Sequence, residues 1–178
     1  MAVLAWGKPR IFVKKLGGGG SWIELPTPVE GSTQLSTTKG DKNEAKIEGG
    51  ENEDVKYNRN TYALALNIRA VEGRAMPIIA DDGVIGGQYA VVLQPENPAS
   101  QGFAFLKSAA SVEDTFTTAD GGVWNYTFDA LKQDAKHKQI YWGTVIVTEQ
   151  PAGTISKIEI DPSDTTGETD KIEIGADA

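Results

Sequence analysis

Between Tyr62 and Arg69 large apolar and smaller or polar side chains alternate. Tyr62, Leu64, Leu66 and Ile68 fall on one face, and Ala63, Ala65, Asn67 and Arg69 on the other. A period of two predicts a half-buried strand. Runs of β-branched, aromatic and other apolar residues predict further strands over residues 10–14, 21–25, 89–94, 103–107, 111–117, 123–128, 140–148, 155–160 and 171–174. Within 123–128 alternation sets Trp124, Tyr126 and Phe128 on one face, which suits a core stripe. The run IYWGTVIVT at 140–148 is the longest apolar one and is expected to be buried on both faces.

Turn signals separate these runs. Four glycines at 17–20 predict a hairpin turn, because glycine reaches positive φ without steric cost. Asp82-Gly83 and Asp120-Gly121 are tight-turn pairs. Residues 43–48 fit a short strand or one helical turn, and 95–102 and 131–138 leave room for a short helix. Many short strands with at most one or two short helices predict a mainly β fold of two packed antiparallel sheets, a sandwich or half-barrel with one short helix.

One long stretch escapes the pattern. Residues 38–60 read TKGDKNEAKIEGGENEDVKYNRN, a hydrophilic loop feeding the Tyr62 strand. Its acids are Asp41, Glu44, Glu48, Glu51, Glu53 and Asp54; its bases are Lys39, Lys42, Lys46, Lys56 and Arg59. Such a loop is uncommon in a compact domain unless it is functional. Interleaved signs suit docking on a complementary copy of the same surface.

A chain of 178 residues fits one domain, here 1–150, with an acidic extension at 151–178 forming a hairpin or arm. Of the net charge of −8, most belongs to the end: residues 149–178 hold eight acids against Lys157 and Lys171. The remainder is nearly neutral and lacks the clustered basic face of a nucleic-acid grip. No run of eighteen apolar residues and no signal-peptide pattern is present, so synthesis in a cytoplasm and no membrane partner are expected.

Catalysis has few places to live. The absence of cysteine excludes disulfides, zinc-thiolate sites and thiol nucleophiles. His137 is the only histidine and is expected to be an exposed surface residue; no GxSxG motif is present. The carboxylate pairs Glu53-Asp54, Asp81-Asp82 and Glu113-Asp114 read as turn or strand-end features. The acids from Asp161 to Asp170 supply oxygen ligands, yet their spacing misses the calcium-loop pattern. Neither an enzyme nor a cofactor or metal site is expected.

The order of features is informative. A charged loop enters a TYAL strand at 61–64; a DDG turn at 81–83, a YAVVLQPE strand at 89–96 and a WNYTF strand at 124–128 follow. Over roughly residues 8–148 this resembles the major tail tube protein of long-tailed, non-contractile bacteriophages, especially those of gut Bacteroidales. The resemblance implies a tail-tube-like sandwich that forms hexameric rings stacking into a tube within the virion. The loop at 38–60, with the charged residues named above, would contact the next ring. The implied partners are further copies of the chain, a tape-measure protein inside the tube, and tail terminator and tail-tip proteins. DNA would pass through the lumen without specific binding, and synthesis would occur in the host bacterial cytoplasm.

Two other readings remain open on the sequence. One is the tube protein of a contractile injection or type VI secretion apparatus. The other is a carbohydrate-binding or adhesin module presenting Trp22, Trp124, Tyr126 and Trp142 as a platform.

Overall fold

The computed structural model describes residues 7–162 and 171–176. Twelve strands make up its regular structure: β1 (Arg10–Lys15), β2 (Trp22–Glu24), β3 (Gln34–Thr38), β4 (Lys42–Lys46), β5 (Asn52–Tyr57), β6 (Thr61–Arg69), β7 (Val84–Gln94), β8 (Gln101–Thr117), β9 (Gly121–Ala130), β10 (Tyr141–Glu149), β11 (Ile155–Pro162) and β12 (Ile172–Glu173). All pairings are antiparallel.

Ten strands form one sheet and β4–β5 a separate two-stranded one. The main path runs β12-β11-β10-β8-β7-β1-β2, and a branch leaves β8 through β9 and β6 to β3. Strand β8 carries both. Its first residues pair with β10, from Gln101 to Ala104, and its second half pairs with β9, from Ser108 to Thr117. Register shifts in β7 lie on either side of Gln88, next to Gly86 and Gly87, the latter at φ 86°. A bulge beside glycine bends a strand, and here the bend lets β7 and β8 serve two layers.

The pleat of β1, β7 and β8 sends alternate residues into two cores. Ile11, Val13, Tyr89, Val91, Phe103 and Phe105 face the first, against Leu64, Leu66 and Ile68 of β6 and Tyr126 and Phe128 of β9. Phe12, Ala90, Val92, Ala104 and Leu106 face the second, against Tyr141, Val145, Ile158, Ile160 and Ile174. The curl of β10–β12 that closes this second core is fastened across the gap. Arg10 reaches Glu24 of β2 at 2.9 Å and Glu149 of β10 at 2.7 Å, and Lys14 Nζ donates to the Gly175 carbonyl at 2.7 Å.

The mainly β, sandwich-like expectation holds, with the layers formed by one sheet folded on itself. The expected short helix does not: no helix occurs among the described residues. At 131–138 the Asp134 carboxylate accepts the backbone N–H groups of Lys136 and His137, an alternative to helical pairing. The strand buried on both faces is also placed differently. β10 alternates, with Trp142 exposed between buried Tyr141 and Gly143, while β1, β7 and β8 are the two-sided strands. The extension from residue 151 supplies β11 and β12 to the large sheet.

Candidate functional site

Residues 38–60, expected as a loop, form a projecting β-hairpin arm. Lys42 pairs with Tyr57, Asn43 with Lys56, Glu44 with Val55 and Ala45 with Asp54. At the tip Gly49 and Gly50 adopt φ 96° and 85°, and Ile47 and Glu51 close the turn through a 3.0 Å backbone hydrogen bond. At the root the Asn60 side chain accepts the Gly40 N–H at 3.0 Å, and Asn58 N donates to the Asp41 carbonyl at 2.8 Å. Gly40 lies so close to the backbone carbonyls of Asn58 and Arg59 that a Cβ there has no room.

Among the described residues nothing covers either face of this hairpin. Every residue of β4 is exposed, and in β5 only Val55 is half-buried. Isolated two-stranded hairpins are marginal in water. Local contacts supply some rigidity: Glu44 lies between Lys42 and Lys46, and its carboxyl is held below the ordinary value of 4.5, first by the Lys42 hydrogen bond. Lys39 sits 5.5 Å over the Tyr57 ring. Ile47 and Tyr57 remain exposed, at 47% and 56%.

Strand pairing also sorts the charges that the sequence interleaves. Glu48, Glu51, Glu53 and Asp54 gather at the distal end, where no base intervenes between residues 47 and 55. Lys39, Lys42, Lys56 and Arg59 lie nearer the root with Asp41 and Glu44, while Lys46, opposite Asn52, stands beyond Asp54 toward the tip. The arm is therefore acidic at its tip and basic at its base.

Beside the root is a cleft of about 560 Å³ between residues 58–62 and the 132–140 segment. Arg59, Lys132, Lys136, Lys138 and His137 line it with Tyr62, and among the described residues no carboxylate does. Asp134, outside the lining, binds the cleft-lining His137 at Nδ1 at 2.8 Å, and that contact is the main cause lowering its carboxyl below its ordinary value. From the sequence alone His137 is expected to be a plain surface residue. The signal available was the density of bases at 132–138, but their convergence with Arg59 depends on the fold.

The aromatic platform required by a sugar-binding reading is not assembled. Tyr126 and Trp22 are buried, Trp124 packs against the first core, and Trp142 is exposed but leans on Phe103 with ring centroids 5.3 Å apart. Among the described residues no cluster of three or more histidines, cysteines and acids is arranged to hold a metal. The calcium candidate at 161–170 falls mostly outside the described residues. No helix among the described residues is long and apolar enough to cross a membrane. No protein-family model matches the chain, and neither does any curated protein.

Proposed function

We propose that this chain is a structural subunit that works by binding copies of itself, building a tube of stacked hexameric rings like the phage tail tube it resembles. The observation carrying this reading is the arm at 42–57, a paired hairpin with neither face covered by any described residue. An element so exposed is accounted for if a neighbouring copy covers it.

Two further features support self-association. Among the described residues β3 pairs only with β6 and β2 only with β1, so the large sheet presents edges that a neighbour can cover. At the end of β6 remote from the arm, exposed Phe116 and Val71 stand near the β8–β9 turn and the end of β6. An arm at one end and apolar residues at the other make a heterologous contact, the kind that yields rings or filaments.

In this assembly the chain holds a tape-measure protein during construction and later lets DNA pass, with terminator and tip proteins at the ends. A body with few excess cations avoids gripping that DNA. Electron microscopy of the concentrated protein tests the reading: hollow rods or six-fold rings support it, and dispersed monomers at every concentration refute it.

A further inference from the structure

We infer that the acidic tip of the arm of one copy seats in the cationic cleft at the arm root of the next. This inference rests on the self-assembly reading and names the surfaces that meet.

Charge supplies the first argument. The tip presents four carboxylates, from Glu48, Glu51, Glu53 and Asp54, against one cation, Lys46, which also faces Glu44 at 3.7 Å. The cleft presents Arg59, Lys132 and Lys136, and none of the described residues lining it is a carboxylate. In a chain of net charge −8 such a concentration of cations is conspicuous. Matched patches of opposite sign steer encounter and set register.

Length supplies the second. From Lys42 to Ile47 the extended strand rises about 17 Å at ~3.4 Å per residue, and the 47–50 turn caps it. The paired strands therefore hold the tip away from its own root. Strand β6, with nine residues, spans a body of about 30 Å on the same measure. A neighbour offset by about the arm's length, less than one body height, brings its own arm root to the tip. Repetition of that contact stacks copies head to tail at a constant step.

A nucleic acid is the other polyanion that the cleft's chemistry admits. The overall negative charge opposes it at long range, and the complementary tip is carried by the chain itself.

The absence of cysteine allows a direct test. Two full-length variants, Glu51→Cys and Lys136→Cys, are mixed and oxidised, and the products are separated without reductant. The inference predicts a mixed disulfide dimer formed at least tenfold faster than the homodimer of either variant. Sedimentation then compares a tip reversal (E48K, E51K, E53K and D54K) with a cleft reversal (K132E and K136E). Each alone should weaken association at least tenfold, and the two mixed should recover it. Wild-type association that survives both reversals, with no mixed disulfide, overturns the tip-to-cleft contact while leaving self-assembly standing. A wild-type chain that never associates overturns both. Binding of a labelled DNA duplex that the cleft reversal abolishes, without mixed disulfide, assigns the cleft to nucleic acid and also overturns the inference.

Discussion

The Tyr126 hydroxyl donates to the Ile78 carbonyl at 2.9 Å and accepts the Ile78 N–H at 3.3 Å. Tyr126 is 1% exposed and Ile78 3%, so one core phenol satisfies both backbone groups of a residue in an irregular segment. The segment from 70 to 83 is thereby pinned over the first core.

Tyr126→Phe keeps the ring and leaves the Ile78 backbone groups unpaired in a buried place, which costs about 1–3 kcal/mol. Urea denaturation should show the loss, with little change in the slope of the transition. Burial pushes the Tyr126 phenol above its ordinary value of 10.0. Its contribution is present below pH 10 and is lost as pH rises through the higher folded value. The phenylalanine variant should therefore show a weaker alkaline loss of stability than the parent chain.

Arg10 ties β1 to both β2 and the end of β10, and its hydrogen bonds with Glu24 and Glu149 raise its affinity for the proton. The same bond to Arg10 lowers Glu24 below 4.5. The stabilisation is present above the ordinary carboxylate value and disappears as pH falls through the lower folded one. Because these side chains are about 40% exposed, Glu24→Gln should cost only about 0–1 kcal/mol at neutral pH. The difference from the parent should vanish in acid, as thermal melting at several pH values will show.

Gly40→Ala is expected to act on the arm alone. The added methyl meets backbone carbonyls of Asn58 and Arg59, which cannot swing aside as a side chain does. Limited proteolysis should cut faster within residues 39–60, while the denaturation midpoint of the body moves little. Association should fall with the arm's order.

The C-terminal strands are structural. Ile158, Ile160 and Ile174 are fully buried against Phe12, Trp22 and Val92. Ile158→Ala should cost about 2–5 kcal/mol, the range for a large-to-small change in a packed core. Removal of residues 154–178 should give a poorly folded chain, visible as loss of near-ultraviolet dichroism, and not a trimmed subunit with an intact body.

The body was legible in the sequence where one face of a strand meets the core. Leu64, Leu66 and Ile68 are each fully buried, and the glycines at 17–19 and the Asp82-Gly83 pair turn where their positive φ predicts. Legibility failed where strands are covered twice or not at all. Phe103 and Ala104 face different cores, so periodicity could not show that β8 runs unbroken through Ser108, a buried residue whose hydroxyl donates to the Tyr89 carbonyl at 2.7 Å. The arm lacks any buried face, leaving no apolar alternation to read. Its charges acquire a tip and a root only through pairing such as Ala45 with Asp54. The cleft joins Arg59 to Lys132 and Lys136 across a long sequence separation, which no local motif records.

Sedimentation velocity of the intact chain beside a variant with residues 42–57 replaced by a short glycine-serine link tests the central claim most directly. The account predicts that the intact chain forms concentration-dependent ring-sized or larger species, while the armless chain remains a folded monomer. Equal sedimentation of the two, whether both monomeric or both assembled, would contradict it.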